Sequence, residues 1–418
     1  MSSLPKKLVL IIAALVSLAL LAAACSSDDD SATPGSPRPT NGFDGETINL
    51  GYLTDVSSFR GAAYTQGAQA YWDWLNSNGG VAGKYQVDEF VGVTEGETSR
   101  AVEEYEMLKD DVVMLGQVLS TPPTQALLES LKEDNIIAVP GSWAGAWSGE
   151  AVLLPTGAAY EYQMINLVDW YVNESGLASD NDIHCAISVD DLYGEVSMRG
   201  VRHAIDQLGQ QLTQHQVFNR GATDFTAQLE AFATAGCTVV YTMSIPTEQN
   251  DLLAQAAEMG FEPDWLAPTP SYLNSLAQAR PELYENFYIA FDSPNLNDRS
   301  VPAIADFLDR IAAVISEDAQ PNTFHLVGYF QSIAVHALLE KAVELGDLSR
   351  EGMAAAMAQL GEVDNFGLAA ENYVYGLPGD RVPTSAVRIY KFDAEQPPNL
   401  LRELQIFDSE FNDNFDLF

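Results

Sequence analysis

The chain has 418 residues, 59 acidic and 20 basic, for a formal charge of −39, and 47% of its residues are hydrophobic. That length exceeds what one hydrophobic core serves and suits two. The acidic excess makes nucleic acid and anionic lipid surfaces poor partners, and three cysteines (Cys25, Cys185, Cys237) are too few for a disulfide framework.

The chain opens with Lys6 and Lys7, an apolar run over 8–21, then Ala22-Ala23-Ala24-Cys25 and a stretch over 26–40 rich in Ser, Asp, Pro and Gly. A basic start, a short apolar centre and small residues before a cut make an export signal. The run is short for a membrane span, which needs about 20 apolar residues. A cysteine at the cut resembles the lipobox of bacterial lipoproteins, in which that thiol receives diacylglycerol, although Ala22 stands where a large aliphatic residue is usual. The expectation is a signal peptide over 1–24, lipidation at Cys25 and a flexible linker over 25–45. The mature protein would then be anchored by lipid on the extracytoplasmic face of the cell membrane.

From Thr47 onward, short apolar strands alternate with amphipathic helices. Ile48, Leu50 and Tyr52 mark a strand, and a helix over 64–78 stops at Gly79-Gly80. A strand over 87–93, a helix over 99–109, a strand over 112–116, a helix from Pro122 and a strand over 136–139 complete a first series. The pattern restarts with a helix over 160–175. Strands follow over 183–189, 212–217, 238–243 and 265–267, separated by helices over 194–208, 223–234 and 247–259. Helices over 301–316, 325–345 and 349–360 come next, and strands over 387–392 and 400–407 close the chain. Such alternation predicts α/β architecture, with two doubly wound parallel-sheet lobes in one chain. Cys185 and Cys237 both fall in predicted strands, either as buried thiols or as one disulfide.

No catalytic signature is present. The chain lacks a phosphate-cradling Gly-Lys-Ser/Thr loop, a His-Glu-x-x-His and a Gly-x-Ser-x-Gly elbow. Its five histidines lack metal-ligand spacing; His325 and His336 share a helix about three turns apart, too far for one ion. Neither enzyme activity, a metal nor a cofactor is expected.

The segments Ala63-Tyr64-Thr65-Gln66-Gly67, Leu75-Asn76-Ser77-Asn78-Gly79-Gly80, Gly116-Gln117-Val118-Leu119-Ser120-Thr121, Ile137-Ala138-Val139-Pro140-Gly141-Ser142, Asp190-Asp191-Leu192-Tyr193-Gly194 and Ala222-Thr223-Asp224-Phe225 stand in that order along the chain. With Phe324 and Gly328-Tyr329 they resemble the branched-chain amino-acid-binding proteins, the solute receptors of ABC importers (periplasmic binding protein type 1). The resemblance implies two lobes joined by three hinge crossings. Lobe I would hold 46–154 and 295–367, lobe II 157–291 and 376–418, with hinges near 154–157, 291–294 and 367–375. It implies a small-molecule solute caught between the lobes, a permease and an ATPase as partners, and a monomer. A sensor on the same scaffold, signalling to a membrane kinase or chemoreceptor, is the alternative.

Ligands of such folds sit at the carboxyl ends of parallel strands. There Ser120 and Thr121 either hold a ligand carboxylate or cap the following helix. Ser142 and Trp143 occupy the next loop, and Tyr193 matches the family tyrosine that faces ligand from lobe II. Phe59 and Arg60 lie in the first strand-to-helix loop, and Phe324 opens the matching helix of the last third. Thr269 stands where amino-acid-binding members carry an acidic residue for the α-ammonium. A desolvated ammonium needs a charged partner, so a branched-chain amino acid, an amide or urea, and an organic acid all stay open as solutes.

Overall fold

Strands β1 (Thr47–Thr54), β2 (Gln86–Val93), β3 (Met114–Leu119) and β4 (Ala138–Gly141) form one parallel sheet in the order β2-β1-β3-β4. The computed structural model describes residues 36–417, so the expected signal peptide and the expected lipidation at Cys25 lie outside the described residues. Helices α1 (Phe59–Ser77), α2 (Thr98–Leu108) and α3 (Thr121–Asp134) connect these strands. Ser58 starts α1 by accepting the Gly61 N–H at 3.1 Å, and Gly79 and Gly80 end it at positive φ. The expected strand over 112–116 begins two residues later. Val112 and Val113 are buried like the strand itself, so apolarity did not mark the boundary; pairing with β1 starts at Met114.

After α4 (Tyr160–Asp169), which runs into a π-turn over Trp170–Glu174, the second sheet begins. Its strands are β5 (His184–Val189), β6 (Leu212–Phe218), β7 (Val239–Met243), β8 (Asp264–Pro268) and β9 (Phe287–Phe291), all parallel. Helices α5 (Leu192–Gln207), α6 (Thr226–Ala235), α7 (Pro246–Glu258) and the short α8 (Asn274–Ala279) lie between them. Strand β9 is buried at every position, so it carries no alternation by which sequence could separate it from a linking segment.

The chain then returns to the first sheet with α9 (Pro302–Ile311), α10 (Thr323–Leu345) and α11 (Arg350–Ala358). Helices α10 and α1 cross in close contact. A Cβ on Gly67 would stand 1.9 Å from the His325 carbonyl oxygen, and one on Gly328 would stand 2.0 Å from that of Tyr64. The crossing therefore requires glycine on both helices. Strands β10 (Gly361–Val363) and β11 (Tyr373–Tyr375) pair with each other. Finally β12 (Val387–Phe392) and β13 (Leu401–Phe407) add antiparallel to the edge of the second sheet, giving the order β13-β12-β9-β8-β7-β5-β6.

The result is two doubly wound lobes. The chain passes between their sheets through 142–183, 292–301 and 376–386. Cys185 and Cys237 form a disulfide, Cα atoms 6.0 Å apart, tying β5 to the loop that enters β7. The expected flexible linker ends before residue 45. Phe43 is buried edge-on to Tyr85 at 5.2 Å, and Asn49 donates its N–H to the Gly42 carbonyl at 2.8 Å. Burial of one aromatic ring is enough to hold this segment on lobe I. No described helix is long and apolar enough to cross a membrane.

Candidate functional site

Each sheet has one point where the direction of winding reverses: between β1 and β3 in the first lobe, and between β5 and β7 in the second. Loops leaving such neighbouring strands diverge and leave a crevice at their carboxyl ends. In the first lobe Arg60, the second residue of α1, spans that crevice and donates from its guanidinium to the Ser120 hydroxyl at 2.7 Å. Burial lowers the Arg60 pKa, and the Arg220 charge lowers it further. Its bonded acceptor is thus neutral, and no carboxylate among the described residues pairs with it.

Ser120 has φ 80° and ψ 156°, a conformation nearly confined to glycine, and its side chain makes no capping bond to α3. Such a residue costs about 1–3 kcal/mol and is held by its surroundings. The strain aims the hydroxyl across the crevice at Arg60, so of the two readings of Ser120, capping is excluded here. Thr121 is buried beside it, and Pro122 and Pro123 remove two N–H groups from this helix start.

An aromatic run crosses from lobe to lobe. Trp143 packs edge-on to Tyr160 at 5.8 Å between ring centres, and Tyr160 packs on Tyr193 at 4.7 Å. Tyr64 and Phe324 face each other at 5.8 Å. The Tyr193 hydroxyl donates to the Ser244 carbonyl at 3.3 Å, a bond across the β5/β7 reversal point. Burial raises the pKa of Tyr64, Tyr160 and Tyr193, so all three hydroxyls are neutral. Ser142 accepts the Trp147 indole N–H at 3.1 Å. The Trp143 indole N–H is buried without a partner.

These groups enclose an inner cavity of about 30 Å³ whose walls include Arg60, Tyr64, Ser120, Thr121, Ser142, Trp143, Tyr160, Tyr193, Arg220 and Phe324. No acidic side chain lines it. Outside it lies a second space of about 370 Å³, and Arg60, Ser120, Arg220, Ile245 and Phe324 line both. Phe59 borders the outer of these two spaces and not the inner one, and it is 55% exposed. A larger cavity of about 830 Å³ lies between α1, α9, α10 and β10, away from the strand ends of either sheet.

Six of the eight residues singled out from sequence therefore converge on the inner cavity, and Phe59 stands at its mouth. Thr269 does not reach it. Its hydroxyl donates to the Ala290 carbonyl at 3.2 Å and its N–H to the Gln163 side chain at 2.9 Å, both inside lobe II. Sequence reasoning missed Tyr160 and Arg220. Arg220 follows the carboxyl end of β6 and is held by Asp191 through its Nε at 2.9 Å; a cation just past a strand end is the signal that marks it. It also missed Asp292, which accepts the Ala158 N–H at 3.0 Å and so joins two of the three passages between the sheets. Burial pushes the Asp292 carboxyl up to about 7. Among the described residues no group of side chains is arranged to hold a metal ion.

Residues 47–397 match the model of a family described as periplasmic binding protein. The chain belongs to that family. No curated protein matches it. Among solved structures it is similar to a fatty acid ABC transporter substrate-binding protein from Thermomonospora curvata, at 25% identity over 92% of this chain and 98% of that one, with a TM-score of 0.83. It shares its fold with a branched-chain amino acid ABC transporter protein from Thermus thermophilus with bound valine (16% identity, 88% and 97% covered, TM-score 0.74). The same holds for a branched-chain amino acid transporter substrate-binding protein from Streptococcus pneumoniae in complex with isoleucine (18%, 86% and 100%, 0.68). The fold and cleft of this periplasmic binding protein are those of the ABC-transporter substrate-binding type.

Proposed function

We propose that this periplasmic binding protein is a lipid-anchored receptor of an ABC importer that captures an amphipathic organic acid in the cleft between its lobes. One observation carries the choice of solute. Two arginines and no carboxylate line the inner cavity. A carboxylate meets cations there, while an α-ammonium would be desolvated without a countercharge. Thr269, turned into lobe II, offers nothing in place of the missing acid. The similarity to a protein described as binding fatty acid supports the same reading.

Capture works by closure. Ligand touching both lobes stabilises the closed form, which docks on the permease, and an ATPase elsewhere supplies the energy. No bond is made or broken in the cleft. The hinges of this reading are the segments near 154–157, 291–294 and 367–375, between lobe I (46–154, 295–367) and lobe II (157–291, 376–418). Gly157 at φ 76° gives the first segment a backbone that side chains rarely adopt, and Asp292 couples it to the second. The third is read with β11 at its end, since Tyr373–Tyr375 still pairs with β10. The receptor acts as a monomer held by diacylglycerol on Cys25. The Cys185–Cys237 disulfide fits the oxidising extracytoplasmic side.

The test is thermal melting of the purified chain, unfolded and refolded to strip bound solute, against amino acids, amides, urea, and aliphatic and aromatic acids. Ligand at a hundredfold excess over Kd adds about 2.7 kcal/mol. A shift with acids alone is expected; a shift with Leu, Ile or Val and none with acids refutes the choice of solute. Fatty-acid labelling of cells should mark the wild type and not Cys25→Ser; a labelled variant removes the anchor.

A further inference from the structure

We propose that the cleft takes an unbranched aliphatic monocarboxylate, with its carboxylate at the neck between the two cavities and its hydrocarbon chain lying outward in the larger one. This rests on the receptor reading above and adds the orientation, the charge and the residues that select for length.

Both cations of the cleft, Arg60 and Arg220, border the inner and the outer space, so they stand at the neck rather than at either end. The inner cavity, about 30 Å³, holds about one water and no hydrocarbon chain. The outer space, about 370 Å³, falls within the size of ligand pockets. Its walls carry Phe59, Leu119, Pro122, Pro123, Pro246 and Leu273, an apolar surface, beside which stand the Asp55 carboxylate and the hydroxyls of Ser58 and Thr247. Phe59 leaves 55% of its surface to water, and an aliphatic chain in this space would cover it.

The charges at the neck define the head group. Arg220 is already matched by Asp191, which leaves the pair close to neutral. Arg60 uses one donor on the Ser120 hydroxyl, and a guanidinium has five. One uncompensated positive charge with a planar fork of donors matches one carboxylate. A dicarboxylate would bring a second negative charge toward the Asp55 carboxylate in the outer space, and an amine head group would meet two arginines at the neck. Selection by length follows from the outer wall, because each buried methylene strengthens binding about fourfold.

The experiment is titration calorimetry of the full chain, stripped of bound solute, with the unbranched acids from butanoate to dodecanoate and the primary amides of the same lengths. Affinity should rise about fourfold per methylene until the outer space is full. Amides should bind at least about tenfold more weakly than the matching acids. Arg60→Gln should erase the preference for acid over amide and keep the dependence on length. Phe59→Ser, at an exposed position, should flatten the dependence for the longer acids and keep the preference for acid. Affinity independent of length, amides equal to acids, or an Arg60→Gln protein that still prefers acids would each overturn the proposal. If amino acids or ureas bind and acids do not, the proposal fails and the receptor reading stands. If no solute of any class binds, both fail.

Discussion

Replacing Asp292 by Asn should make the protein more stable at alkaline pH, by an amount that depends on pH in a defined way. Asp292 is buried, one carboxylate oxygen accepts the Ala158 N–H, and the other has no partner. Burial disfavours its charged form and moves its pKa from 3.8 up to about 7. The unfolded chain therefore releases this proton near pH 3.8, and the folded protein holds it until about pH 7. Between those values the unfolded state binds fewer protons, so stability falls by about 1.4 kcal/mol per pH unit. The full loss is about 4 kcal/mol above the folded pKa, and about 2.5 kcal/mol of it falls between about pH 5 and about pH 8. Asn keeps an acceptor for the Ala158 N–H and cannot ionise. In chemical unfolding across that range, the variant's stability relative to wild type should climb by about 2.5 kcal/mol and level off above about pH 7. Burial also raises Glu161 to about 7 and Glu89 to about 8, so the wild-type curve alone is a sum; the difference isolates Asp292. A difference that stays flat with pH, or that falls, refutes the reasoning.

Three further outcomes are expected. Changing Cys185 and Cys237 together to Ser opens a loop closed over a sequence separation of 52, which should cost about 4 kcal/mol of unfolding free energy; equal stability of wild type with and without reductant would contradict the bond. Gly328→Ala sets a Cβ 2.0 Å from the Tyr64 carbonyl oxygen and should destabilise by about 1–3 kcal/mol, with an unchanged melting temperature counting against the helix crossing. Tyr193→Phe should leave ligand affinity within about threefold, because the hydroxyl is spent on Ser244, while Tyr193→Ala loses the edge-on packing against Tyr160 and should weaken binding about tenfold; unchanged affinity in the Ala variant would take Tyr193 out of the site.

Much of the fold was legible because its signals are local. Strands and helices alternate in period along the chain, and that alternation alone dictates parallel sheets with helices on both faces. The strand predicted over 387–392 coincides with Val387–Phe392, bounded on its far side by Gln396-Pro397-Pro398. The strand ends that position Ser120, Ser142 and Tyr193 were legible for the same reason, since each of these residues follows a recognisable strand. Strand β9 was not, because Phe287–Phe291 is buried on both faces and carries no period. Strands β10 and β11, three residues each, exist only through their pairing with each other.

Sequence by itself thus determined most of the element types and the two-lobed α/β architecture, since backbone propensity and hydrophobic period act over a few residues. Tertiary structure decided the chemistry of the site. Arg60 and Ser120 are 60 positions apart and meet only because β1 and β3 are neighbours; Arg220 joins them from the other lobe. The same packing turned Thr269 away from the cleft onto Ala290 and joined Cys185 to Cys237. Which side chains converge depends on strand order and on how two sheets face each other, and neither is written in the neighbourhood of any one residue.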